Sequence, residues 1–115
     1  MNFIQMVKDL FKSGTEIKKT ITEDQLSLLH AAVGISGEAG ELLDAIKKHT
    51  MYNKAVDIEN VIEELGDLEF YMEALRSQLN ITREQTLEAN IKKLAVRYSS
   101  GKYSDQQAQE RADKQ

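Results

Sequence analysis

The sequence predicts an all-α protein, a four- to five-helix bundle built on an antiparallel helical hairpin. Three observations carry that expectation. Helix-start signatures recur: "TEDQ" from Thr22, "TREQ" from Thr82 and "SDQQ" from Ser104 each pair a Ser or Thr with a Gln three residues later, the pattern of a capping box. Apolar residues recur at helical spacing, and no segment alternates as a strand would. The chain contains no proline to interrupt a long helix.

The elements follow in order. Helices are expected at about 3–12, 22–48, 58–79, 83–98 and 105–113, the fourth and fifth starting at Thr82 and Ser104. Asp57, just before "IENVIEEL", supplies the N-cap of the third. That helix has the cleanest seam: Ile58, Val61, Leu65, Leu68, Met72, Leu75 and Leu79 follow a 3-4 spacing. The second helix has two seams. One runs through Leu28, Ala32, Ile35, Ala39, Leu42 and Ile46, and the other through Leu26, Leu29, Val33, Gly40 and Leu43. An apolar arc that wide meets more than one neighbour.

A chain of 115 residues fits one domain over 1–115, with a core at about 22–98 and a C-terminal segment, 99–115, expected to fray. Apolar residues make up 41% and charged residues 30%, the balance of a folded soluble protein. The absence of cysteine excludes disulfides, zinc-thiolate sites and thiol nucleophiles, and it suits the cytoplasm, the expected location. No apolar run suggests an export signal or a membrane span. The net charge is −4 and the basic residues are scattered, so neither nucleic acid nor a membrane is an expected partner.

The chemistry concentrates around "GEAGELLDAIKKH", residues 37–49. Gly34, Gly37 and Gly40 interrupt a strong helical pattern, although each glycine costs a helix about 1 kcal/mol relative to alanine. Glu38 and Glu41 stand among them, one turn apart. The face that holds these acids otherwise carries Ser27, Ala31, Gly34 and Ala45, and such small residues read as room left for something. The third helix answers with "EELGD", which sets Glu64 and Asp67 at the same spacing, with Tyr71 one turn further on. In an antiparallel hairpin the two acidic pairs fall at one height. Either pair alone would read as solvated surface acid; two matched pairs call for a cation. Mg²⁺, with Mn²⁺ able to substitute, prefers such oxygen ligands, which makes Glu38, Glu41, Glu64 and Asp67 the candidate metal ligands. The glycines, with Gly66 opposite, are expected to admit a neighbouring backbone or a polyphosphate. A di-iron site is not indicated, since neither His30 nor His49 follows a Glu at three residues. His30 reads as a hydrogen-bonded structural residue and His49 as a helix C-terminal cation.

The segments "GISGEAGELLDAIKK" and "DIENVIEELGDLEFYMEAL" resemble the MazG-type all-α nucleoside triphosphate pyrophosphohydrolases, whose hallmark is E-x-x-E followed on the next helix by E-x-x-D. Here the pairs are Glu38/Glu41 and Glu64/Asp67, separated by twenty-two residues. "NIKKLAVRYSSGKYS" is similar to the N-x-x-K-L-x-x-R-Y segment that follows in that family, so the likeness covers about residues 26–104. The resemblance implies Mg²⁺-dependent cleavage of a nucleoside triphosphate, ribo or deoxyribo, between its α and β phosphates, giving the monophosphate and pyrophosphate. It casts the four acids as metal ligands and Glu38 as acceptor of the attacking water's proton. Glu63 is less suited because it lies nearly opposite the seam.

The resemblance implies substrate contacts from Asn90 and Lys93, then from Arg97, Tyr98 and Lys54. Asn90, Lys93 and Arg97 share one helical stripe, and Tyr71 is placed to stack on a base or to pack. Phe70 and Ile62, away from the seam of the third helix, point to a homo-oligomer, and the resemblance implies a dimer or a dimer of dimers. Two alternatives stay open. One is a substrate-restricted relative on the same fold, acting on dUTP, dCTP or phosphoribosyl-ATP; the other is a non-enzymatic helical interaction module.

Overall fold

The computed structural model describes residues 2–115, and these are helical with short connections. Helix α1 spans Phe3–Leu10 and α2 Gly14–Lys18. Two long helices follow, α3 at Glu23–Tyr52 and α4 at Ile58–Gln78. Helix α5 covers Arg83–Arg97 and α6 Asp105–Glu110, and a 3₁₀ turn at Ala112–Lys114 ends the chain. The all-α class and the antiparallel hairpin of α3 and α4 at its centre are as expected.

Local chemistry starts these helices where the sequence says it should. Thr22 and Thr82 each form a complete capping box, the hydroxyl accepting from the backbone N–H of Gln25 or Gln85 while the glutamine side chain accepts from the cap residue's own N–H. Asp57 caps α4 by accepting from the N–H of Asn60. Ser104 forms only half a box: its hydroxyl accepts from the Gln107 N–H, but the Gln107 side chain turns away to Ser99 and Ser100. Helix α2 falls between the helices expected at 3–12 and 22–48. Its signal was "SGTE", in which Ser13 accepts from the N–H of Glu16. Helix α3 runs one turn past its expected end and stops at Asn53, which adopts the left-handed conformation that asparagine tolerates at a helix C-terminus.

The face on which the hairpin closes differs from expectation. On α3 the contact runs through Leu28, Ala31, Ile35, Leu42 and Ala45. Among the described residues, Ala31 and Ala45, 4% and 8% exposed, are the buried ones. The small residues are thus the seam itself and not a vacancy beside it; short side chains at a contact bring two helix axes close. On α4 the inward line is Val61, Glu64, Leu68, Tyr71 and Leu75, with Met72 beside it. Ile58, Leu65 and Leu79, expected in that seam, are exposed.

The other elements do not close a bundle around the hairpin within one chain. Helix α5 packs on α6 and the 3₁₀ turn and makes no comparable contact with α3 or α4. The radius of gyration is 19.8 Å, where a compact chain of this length would have about 13 Å. Phe3, Leu10, Phe11, Val33, Leu43, Ile62, Phe70 and Ile91 are each at least 60% exposed. No described helix is long and apolar enough to cross a membrane.

Candidate metal and nucleotide site

The register of the hairpin sets the acids. Glu38 on α3 and Glu64 and Asp67 on α4 each offer a carboxylate oxygen, and the three oxygens lie within 4.8 Å of one another. Glu38 and Glu64 are half-buried and Asp67 is exposed, so the cluster opens outward from the seam. Glu41 stands outside this triple, but its charge still reaches Glu64.

Glu64 is the strained member. Its Oε2 is shut off from solvent and has no hydrogen-bond partner among the described residues. Its pKa is pushed up to about 7. The first cause is the Glu38 side chain, to which a protonated Glu64 can donate; burial follows, then the charges of Glu38, Glu41 and Asp67. A buried carboxylate oxygen without a hydrogen-bond donor among crowded acids fits a cation ligand. The donor set is all oxygen, which fits a hard divalent ion and not a thiophilic one.

Tyr71 lies one turn beyond Asp67 and is half-buried in the seam. Its ring occupies the space that a side chain at Gly34 would need, so Gly34 is explained by that close approach. A Cβ at Gly37, Gly40 or Gly66 would meet nothing within 4 Å, so within one chain these three glycines admit no neighbour. Beside Tyr71 stand His30, with ring centroids 5.9 Å apart, and Phe70, edge-on at 5.2 Å. These rings and the small residues Ala31 and Ala74 line a cavity of about 240 Å³ on the hairpin. The place of His30 was not legible as a site from the sequence; the only signal was its spacing from Gly34, two helical residues on one stripe.

The remaining candidates are elsewhere. Asn90 and Lys93 are exposed on α5, which does not dock on the hairpin in one chain. Arg97 is held by the tail: its Nε donates to Asp113 Oδ1 at 2.6 Å and its NH2 group to Oδ2 at 3.2 Å. Tyr98 closes α5 with its ring 5.8 Å from that of Tyr103. Lys54 follows the α3 C-cap, where its carbonyl lies 2.5 Å from Nδ1 of His49.

A family model described as the MazG nucleotide pyrophosphohydrolase domain matches residues 26–101. Neither the curated proteins nor the solved structures yield a match. The matched stretch contains the hairpin except for the first three residues of α3, the acid cluster that its register assembles, and α5. With two thirds of its length accounted for in this way, the chain belongs to the MazG nucleotide pyrophosphohydrolase family.

Proposed function

We propose that the protein hydrolyses nucleoside triphosphates, ribo or deoxyribo, between the α and β phosphates in the presence of Mg²⁺. The observation that carries the reading is the Glu38, Glu64 and Asp67 cluster with its buried, unpartnered Glu64 oxygen. Those three residues would hold the ion, with Glu41 adding charge or a water-mediated contact. A bound divalent cation supplies charge neutralisation at the phosphates and lowers the pKa of water. Glu38 accepts the proton of the attacking water, whose oxygen bonds to the α phosphorus. The bond from that phosphorus to the α–β bridging oxygen breaks, and pyrophosphate leaves with the electron pair.

Substrate contacts come from Asn90, Lys93, Arg97, Tyr98 and Lys54, of which Lys93, Arg97 and Lys54 bring positive charge to the phosphates, with Tyr71 toward the nucleoside. Since α5 stands off the hairpin in one chain, this reading has α5 reach the acids within a homo-oligomer, a dimer or a pair of dimers. The exposed apolar seam Leu26, Leu29, Val33 and Leu43 on α3 supports such an assembly.

Product analysis with a panel of nucleoside triphosphates and Mg²⁺ tests the reaction. Monophosphate plus pyrophosphate, abolished by Glu38→Gln and by Asp67→Asn, is the expected result. Sequential release of orthophosphate would assign a different bond.

A further inference from the structure

We infer that Asp113, carried on the C-terminal 3₁₀ turn, is a positioning residue: it holds the Arg97 guanidinium by one edge so that the other edge grips substrate phosphate. The inference rests on the pyrophosphohydrolase reading above. It adds a residue that lies beyond the stretch 26–101 covered by the family model.

The geometry of the pair is the first argument. A guanidinium presents two forks, one side-on through Nε and Nη2 and one end-on through Nη1 and Nη2. Asp113 takes the side-on fork: Nε donates to Oδ1 at 2.6 Å and Nη2 donates to Oδ2 at 3.2 Å. The end-on fork is left for a second anion. Asp113 therefore does not compete with a phosphate for Arg97; it fixes the plane in which the phosphate is met. An arginine held in this way has already given up its rotamer freedom, so less is lost when it binds.

The construction of the tail is the second argument. Arg111 adopts the left-handed conformation, φ 49°, which is unfavourable for a residue with a Cβ. It brings the 3₁₀ turn back along α5, where the turn makes contact. The Asp113 side chain is 5% exposed and that of Arg97 17%, so the pair is largely withdrawn from water. A buried ion pair gains a fold little over apolar packing of the same volume. Apolar residues would anchor a tail as well; what a charge pair adds is direction.

The surroundings are the third. Lys93 and Arg97 share a stripe of α5 at i, i+4. Lys92 and Lys93 from α5 and Asp113 and Lys114 from the turn border one cavity of about 390 Å³. The carboxylate thus stands among cations that suit a polyphosphate, and it is bound to the one cation with a fork to aim.

Kinetics of the full chain with Mg²⁺ and nucleoside triphosphates test the inference, alongside calorimetry with Mg²⁺ and inorganic pyrophosphate. Asp113→Asn should lower kcat/KM about tenfold or more and weaken pyrophosphate binding, and Asp113→Glu should regain part of both. The double variant Arg97→Asp with Asp113→Arg separates aim from anchorage. It should restore hydrogen-exchange protection in the last turns of α5 and leave activity low, because the guanidinium now stands on the tail.

Parental kcat/KM in Asp113→Asn overturns the inference and keeps the reaction. Recovery of parental activity in the exchanged pair assigns it a purely anchoring role and also overturns the inference. So does a rise in kcat/KM in Asp113→Asn, which would mean that the turn masks Arg97. A parent without turnover, whose pyrophosphate binding weakens in Asp113→Asn, keeps the positioning role and overturns the reaction. No turnover, with pyrophosphate binding absent or unmoved by Asp113→Asn, overturns both.

Discussion

The ring of Tyr71 lies where a side chain at Gly34 would be, so the two residues share one volume across the hairpin. This inverts the usual rule for glycine in a helix. Gly34→Ala should destabilise the fold by about 1–3 kcal/mol, because Tyr71 must move or the helices part. Gly37→Ala and Gly40→Ala, with open space around them, should each stabilise by roughly 0.5–1 kcal/mol. Thermal melting of the three variants checks the contrast. A loss at Gly37 or Gly40 would mean that a second copy covers that face.

Glu64 makes the metal-free protein sensitive to pH. Its folded pKa, about 7, lies above its ordinary value of 4.5. Between those values the folded state holds more protons than the unfolded state, so stability should fall as pH rises across that window. Melting in the presence of a chelator would show the slope, and Glu64→Gln should flatten it. Added Mg²⁺ should reverse the trend, since binding requires the ionised carboxylate. At a hundredfold excess over Kd the gain is about 2.7 kcal/mol.

The tail is anchored by Arg97 and Asp113, the latter side chain only 5% exposed. The guanidinium holds the Asp113 carboxyl below its ordinary value of 3.8. That stabilisation is present above the unfolded value and is lost as pH falls through the folded one. Asp113→Ala should raise hydrogen exchange in the last turns of α5 and speed proteolysis after residue 104, with little change in the hairpin. Equal protection in variant and parent would remove the anchor's importance.

Val33 stands on the α3 seam that one chain leaves uncovered, 60% exposed. A charge there should prevent a second copy from docking. Sedimentation should therefore give a smaller particle for Val33→Glu than for the parent, with lost activity if α5 serves a neighbouring hairpin. An unchanged mass would place the interface on another face.

Much of this architecture is local and so was readable in the chain. Caps at Thr22, Asp57 and Thr82 depend on a side chain and an N–H three residues away, and no distant contact is needed to form them. The i, i+3 spacing of Glu38/Glu41 and Glu64/Asp67 and the shortness of the connection between α3 and α4 are equally local, and they set the acids at one height. Rotation about each helix axis is not local. Periodicity says which residues share a face, but only packing chooses the face that meets a neighbour. That choice turned Ala31, Ala45, Glu64 and Tyr71 into the seam and left Ile58, Leu65 and Val33 outside. It also drew Glu38, Glu64 and Asp67 into one cluster with Glu41 just beyond, and set His30 against Tyr71. Local signals in the chain account for the long helices and the height of the acids. Which of the acids touch follows from packing, because a helix's rotation is set by what it packs against.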